Sequence, residues 1–226
     1  MYGMNNRSYQ QFCGLAFALD AVGERWTLLI IRELLAGPRR FKDLSEGLPG
    51  VSSNLLAERL KGLEQQGLIC RRVLPPPAGT TVYELTPLGQ SLEGIVLELG
   101  KWGSQFFPPS LEGLYLPSVG SITLAIKAFF HPEQARGVDE TYELHFGDDV
   151  LHVHIQDGEI TVHAGQSMKA DAVFATDMQH FVGLFAGQIP PEAALSGGLV
   201  RVQGSPDALQ RFLTRCGVPS APGLED

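Results

Sequence analysis

Four of the six histidines fall in one stretch, "ETYELHFGDDVLHVHIQDGEITVHA" (140–164), as His145, His152, His154 and His163. Strict alternation places Leu144, Phe146, Leu151, Val153, Ile155, Ile160 and Val162 on one face of a strand meander. Glu143, His145, His152, His154, Thr161 and His163 share the other. A two-residue turn at Asp157-Gly158 would pair His152 with His163, and an equally tight Gly147–Val150 loop would pair His145 with His152. Imidazoles about 5 Å apart in one cross-strand row have the chemistry to hold Zn²⁺ or to titrate as a pH-sensitive patch. A solvated polar sheet face explains the same alternation with no ligand, and no metal site is expected.

The other reactive side chains are three cysteines, Cys13, Cys70 and Cys216. They are odd in number and widely spaced, which fits a reducing compartment and argues against a disulfide framework or a zinc knuckle. Cys13 opens a helix and has Arg7 close in sequence, two features that favour the thiolate and so a redox role. A cysteine on an apolar helix also serves as a small core residue. Cys70 and Cys216 are expected to be inert. The sequence shows no Ser-His-Asp spacing, no P-loop and no dinucleotide glycine motif. No catalytic residue, no cofactor and no enzymatic activity are expected. No apolar run approaches the ~18 residues of a membrane span, and the start "MYGMNNRSYQ" is no signal peptide. The expected location is cytoplasmic, without membrane contact.

A third group combines hydrogen-bonding and basic side chains. Ser52, Ser53 and Asn54 stand at the start of "VSSNLLAERLKGLEQQGL", whose Leu56, Leu60 and Leu63 make a buried helical stripe. Ser52 or Ser53 is a good N-cap, and Gly67 ends the helix. Two strands follow, 68–74 and 81–85, around the tip "PPPAGT", where prolines cannot continue a ladder. From Arg39 to Arg72 there are seven basic residues against four acidic ones. A helix leading into a hairpin is the DNA-reading half of a winged helix: the helix fits the major groove and the tip reaches the backbone. Ser52, Ser53 and Asn54 then face base edges, and Lys61 lies on the exposed side. Arg39, Arg40, Arg71 and Arg72, with Thr80 near the tip, are placed for the backbone. Arg59 lies near the leucine stripe, where an ion pair with Glu33 or Glu64 competes with a phosphate contact. A winged helix used only for protein contact is the alternative.

These side chains need scaffolds, and the chain supplies two. Residues 1–106 hold 11 Lys/Arg against 10 Asp/Glu, and residues 107–226 hold 6 against 15, giving +1 and −9 of the total −8. The first half reads as four helices, the hairpin and a last helix from Pro87 to Gly103. Its first and last helices carry apolar stripes (Leu15, Ala16, Leu19, Val22; Leu88, Leu92, Ile95, Val96, Leu99, Trp102) that one small domain cannot fully bury. Residues 107–118 read as a proline-broken linker. The second half, 119–218, reads as helix, three-strand meander, strand, helix, strand, helix. Its aromatics fill a solid core or line an apolar cavity, with Phe129, Phe130, Phe146, Leu151, Val153, Phe181, Leu184 and Phe185 as the expected lining.

Residues 13–103 resemble the HxlR branch of the MarR-like winged-helix regulators. The stretches "CGLAFALDAVGERWTLLIIREL", "GPRRFKDL", "PGVSSNLLAERLKGLEQQGLICRR", "VYELTPLGQSL" and "KWG" carry the likeness. It implies a homodimeric bacterial transcription regulator joined through its terminal helices. Cys13-Gly14 departs from the family's Cys-Pro, which bears on the oxidant sensing that some relatives perform with this cysteine. Residues from about 119 to 216 resemble the sterol carrier protein type 2-like fold in "ADAVFATD", "FVGLFAGQ" and "PEAALSGGLVRVQGSPDALQRFL". That likeness implies an α+β domain holding an acyl, sterol or other apolar ligand between sheet and helices. The expectation is therefore a mainly α winged helix-turn-helix domain followed by a smaller α+β domain. The partners would be operator DNA, a second copy and a small apolar effector. The alternatives are thiol sensing at Cys13, or a lipid-binding or interaction protein with no DNA role.

Overall fold

The computed structural model describes residues 8–75, 79–108, 112–205 and 207–218. Arg7 and the wing-tip residues Pro76, Pro77 and Ala78 lie outside them. The chain divides into two compact units, Met1–Val96 and Leu97–Asp226.

The first unit opens with α1 (Gly14–Val22), α2 (Thr27–Leu35), α3 (Phe41–Gly47) and α4 (Ser53–Gln65). Helix α2 is the core: Ile30, Ile31 and Leu34 are buried, and Gly37 at φ +125° ends the segment. They pack with Leu44, Leu56, Leu60 and Leu63. Ser52 caps α4, its Oγ accepting from the Leu55 N–H at 3.3 Å. Strands β1 (Ile69–Val73) and β2 (Thr81–Leu85) then pair antiparallel, with Arg71 opposite Tyr83 and Arg72 opposite Val82. Arg39 adds a single bridge on the free edge of β2, its N–H reaching Tyr83 O at 3.0 Å.

The helix expected from Pro87 to Gly103 is two helices, α5 (Pro87–Gln90) and α6 (Glu93–Ser104). Gly89 explains the break. It is buried so closely on the wing base that a Cβ there would lie 2.1 Å from Leu68 O. The chain turns after this contact, with Leu92 N–H bonded to Gly89 O at 3.2 Å and Ser91 Oγ donating to Leu88 O at 2.7 Å.

In the second unit α7 (Val119–Ala128) and a short 3-10 turn (Pro132–Gln134) precede β3 (Asp139–Phe146), β4 (Asp149–Gln156) and β5 (Glu159–Ala164). Strand β6 (Ala172–Thr176), α8 (Met178–Phe185), α9 (Pro191–Ser196), β7 (Val200–Gly204) and α10 (Ala208–Cys216) complete it. The sheet order is β5-β4-β3-β6-β7, and β3 runs parallel to β6. Asp157 (φ +48°) and Gly158 (φ +84°) form the tight turn between β4 and β5, with positive φ at both central positions as a type I′ turn requires. One sheet face carries Tyr142, Leu144, Val153 and Phe174 into a core with Ile122, Ile126, Phe181 and Phe212 from the helices. Helix α10 is also tied to β3 by charge. Glu140 bonds Tyr142 Oη and Arg215, and Arg211 Nε lies 3.2 Å from its other oxygen. Burial opposes the Glu140 charge, yet the Tyr142 and Arg215 hydrogen bonds outweigh it and hold this carboxyl below its ordinary range.

Candidate functional site

Helix α4 leaves one side to solvent. Asn54, Ala57, Glu58, Lys61 and Gln65 are exposed, at helical steps opposite the buried Leu56, Leu60 and Leu63. Ser52 and Ser53 are also exposed at its N-terminal end. The side chains expected to read base edges therefore share one helix end, with Lys61 two turns further along.

Of the arginines expected to meet phosphates, Arg40, Arg71 and Arg72 are engaged through their side chains, whereas the buried Nε of Arg39 has no hydrogen-bond partner. Arg40 forks onto Asp43, with Nη2–Oδ1 at 2.7 Å, and this contact holds the Asp43 carboxyl below its usual range. Arg71 reaches Glu64 at 3.0 Å and lies 5.4 Å from the Tyr83 ring centre. Arg72 donates to Glu84 at 2.7 Å. Arg39 is fixed by its backbone bridge to Tyr83. Pairs as exposed as those of Arg40, Arg71 and Arg72 contribute only about 0–1 kcal/mol, so exchanging a carboxylate for a phosphate costs little. Thr80 accepts the Leu74 N–H through its carbonyl at 2.9 Å and so closes the base of the tip.

Arg59 differs from these. Its side chain is only 14% exposed, and its partners are neither Glu33 nor Glu64. Nη2 meets Glu24 at 2.9 Å, Nε donates to Arg25 O at 3.2 Å and Nη1 meets Glu58 at 2.9 Å. The next residue, Trp26, adopts φ +78°, a left-handed conformation that costs a bulky residue about 1–3 kcal/mol. Its ring packs on Gly50, where a Cβ would sit 3.6 Å from Cη2. The Glu24–Trp26 turn thus holds α4 along its length through Arg59 and at its entry through Gly50. Periodicity carried no sign of this, because the partners are 35 residues apart in sequence.

The thiols sort by surroundings. Cys13 is exposed at the N-terminal end of α1. Cys70 is exposed on β1, where desolvation and the Glu84 carboxylate, 3.8 Å from Sγ, raise its pKa. Cys216 is buried in the core, and burial pushes its thiol up to about 12.

In the second unit, the residues expected to line an apolar cavity pack on one another. Phe146 and Phe181 have ring centres 5.0 Å apart, Phe181 stacks on Phe185 at 5.6 Å, and Phe129 meets Phe185 edge-on at 6.1 Å. Leu151, Val153 and Leu184 are buried in the same cluster, and Phe130 packs against it half-buried. A cleft of about 500 Å³ lies instead against the opposite sheet face, lined by His145, Ala175, Thr176, Asp177, Leu199 and Arg201 among others. A second, of about 280 Å³, continues along Val173, Ala175, Arg201 and Gln203.

The histidine row is also corrected. His152 does pair with His163, their rings 5.2 Å apart. The other turn is two residues shorter than the Gly147–Val150 loop, so His145 faces Val150 and Glu143 faces His152. Glu143 binds His145 Nε2 at 2.9 Å and accepts the Ser167 N–H at 3.2 Å. Burial and then the neighbouring His152 and Lys127 lower the pKa of His163. Among the described residues, no group of three His, Cys, Asp or Glu is arranged to hold a metal ion.

The HxlR-like helix-turn-helix family matches residues 21–111. The HTH-type transcriptional regulator YodB of Bacillus subtilis is 42% identical over 92 residues, which are 41% of this chain and 82% of YodB. The chain belongs to the HxlR-like family. YvaP of the same organism, an uncharacterised HTH-type regulator, is 39% identical over 93 residues, 41% of this chain and 86% of its own. Among solved structures, quinone-bound YodB aligns with TM-score 0.36 and 39% identity, covering 41% of this chain and 97% of its own. The redox regulator HypR in its oxidised form aligns with TM-score 0.40 and 29% identity, covering 42% and 99%. The HxlR-like match ends at residue 111, between α6 and α7. A different family, the alkyl sulfatase C-terminal domain, matches residues 125–219, beginning within α7.

Proposed function

We propose that this HxlR-like regulator binds operator DNA as a homodimer and that its second unit is an effector module. The observation that carries the DNA reading is α4 itself. It offers Ser52, Ser53 and Asn54 at an exposed helix end, beside a wing whose Arg71 and Arg72 pair with surface carboxylates. Base-edge contacts from the helix end supply sequence preference, and Arg71, Arg72, Arg40 and Lys61 supply affinity for any duplex. The effector reading rests on the composite chain: an acidic α+β unit, with its own core, is joined to a DNA-binding unit of a regulator family. Such a unit regulates when its ligand binds the DNA-competent and DNA-incompetent states with different affinity.

The test is a gel-shift or anisotropy series against the protein's own promoter region and a random duplex. Ser53→Ala with Asn54→Ala is expected to lower specific binding far more than non-specific binding. Arg71→Ala and Arg72→Ala are expected to weaken both, and to make the salt dependence shallower by about 0.9 per lost phosphate contact. Equal losses on both duplexes for the Ser53/Asn54 pair would remove α4 as the reading helix. A second reading, thiol sensing, is favoured by the exposure of Cys13 at the start of α1. It predicts that an oxidant changes operator binding in the wild type and not in Cys13→Ser.

A further inference from the structure

We propose that the open sheet face of the second unit is a binding site for a small organic carboxylate that also carries a hydroxyl or amide N–H donor. Arg201 receives the carboxylate and His145 receives the donor. The proposal rests on the effector reading above and relocates the effector from the packed interior to the opposite face.

The strand register defines the site. Val150, His145, Ala175 and Arg201 are successive cross-strand neighbours on β4, β3, β6 and β7. Glu143, Val173 and Gln203 form the adjacent row. The same two rows line the two neighbouring clefts, about 500 and 280 Å³. The first lies within the range of about 300–1,000 Å³ that small-molecule sites occupy. Space exists here because the middle residues are short: Ala175 and Val173 form the floor, and Gly147 and Gly198 stand at the rim.

The polar groups fix the ligand's chemistry. Arg201 is exposed, and no carboxylate among the described residues pairs with it, in contrast to Arg211 and Arg215, which bind Glu140. A guanidinium presents a planar fork suited to a carboxylate. Across Ala175, His145 is oriented by Glu143, whose carboxylate accepts a hydrogen bond from Nε2–H at 2.9 Å. In the neutral ring, the form the proposed site uses, this leaves Nδ1 as the acceptor, so the group it recognises is a hydrogen-bond donor. Arg201 and His145 stem from strands two apart, hence about 10 Å between their backbones. A ligand that bridges them is short, with an apolar body over Ala175 and Val173. Asp177 also lines the cleft, but its carboxylate is committed to its own helix, bonded to the His180 N–H at 2.8 Å and to His180 Nδ1 at 2.7 Å.

The experiment titrates the full-length protein with 4-hydroxybenzoate and 6-hydroxyhexanoate, their carboxamides, and the hydroxyl-free benzoate and hexanoate. Binding is read by calorimetry and by amide shift changes. At least one hydroxy acid is expected to bind and to move the signals of Ala175, Leu199 and Gly198. Its carboxamide should bind at least about tenfold more weakly, the loss of one charged hydrogen-bonded contact. Arg201→Gln should weaken the hydroxy acid by the same factor while leaving the carboxamide unchanged. His145→Phe should abolish the preference for the hydroxylated acid. Arg201 is exposed, so its variant keeps the fold, which circular dichroism checks. The site is overturned if neither hydroxy acid binds at millimolar concentration, if Arg201→Gln binds as the wild type does, or if the shift changes centre on Phe181 and Phe185. Operator binding by the ligand-free wild type is scored separately. Failure of the regulator reading and failure of the carboxylate site therefore give different results.

Discussion

Burial pushes the Cys216 thiol up to about 12, desolvation and Glu84 raise that of Cys70, and Cys13 stands exposed at the start of α1. Alkylation requires the thiolate, so the three should separate in rate. With iodoacetamide at pH 8 on the native protein, peptide mapping is expected to find Cys13 modified first. Cys70 should follow more slowly, with a rate that still climbs past the ordinary thiol range near about 8.5, because its raised pKa delays the thiolate. Cys216 should react only after denaturation. Native labelling of Cys216 as fast as Cys13 would contradict the burial. At this scale the sequence was informative about residue type and weak about partner. The alternation of the histidine stretch was legible, since period two needs only local pattern. The pairing of His145 was not, because a turn shortened by two residues moves the register without changing that pattern.

Arg59 is where an element-level contact changes the meaning of a basic residue. A phosphate contact and a positioning contact both lower operator affinity when removed, but only the first releases counterions. Arg59→Ala and Glu24→Gln are each expected to lower specific binding with an unchanged salt slope, whereas Arg72→Ala should make the slope shallower by about 0.9. The two substitutions should also be non-additive, as expected for groups in one contact. A slope change for Arg59→Ala matching that of Arg72→Ala would make it a backbone contact after all. Helix α4, its cap at Ser52 or Ser53 (Ser52 in the structure), its Gly67 stop and the Asp157-Gly158 turn were legible in the sequence, because each depends on local chemistry. The break between α5 and α6 depends on Gly89 meeting Leu68 O across the fold. The Arg59 clamp likewise joins segments that no helical or strand period relates. The packed Phe146, Phe181 and Phe185 rings show the same limit: composition gave the apolar inventory, and only packing decides between core and cavity.

The two units carry opposite burdens, one near neutral and reading DNA in the proposed function, the other strongly acidic. In the proposed homodimer, the contact falls to apolar side chains that stay uncovered. On α1, Leu15 and Phe17 are 68% and 61% exposed, and on α6, Ile95 and Leu99 are 61% and 45% exposed. Leu92 and Val96, from the same expected stripe, instead pack half-buried against the first unit's core. Charging those two would confuse unfolding with dissociation, whereas Ile95 and Leu99 test assembly alone. A stable pair of copies needs about 1,000 Å² or more of buried surface, which makes large exposed side chains on both terminal helices the natural contact. A dimer also places two reading helices for two half-sites, so its loss removes more affinity than one site's contacts supply. Ile95→Glu with Leu99→Glu is expected to give a folded monomer by light scattering and to abolish tight operator binding while weak non-specific binding remains. Helical content by circular dichroism should stay at the wild-type level. A wild type that is monomeric at micromolar concentration, or a double variant that stays dimeric, would show that these helices do not join the copies.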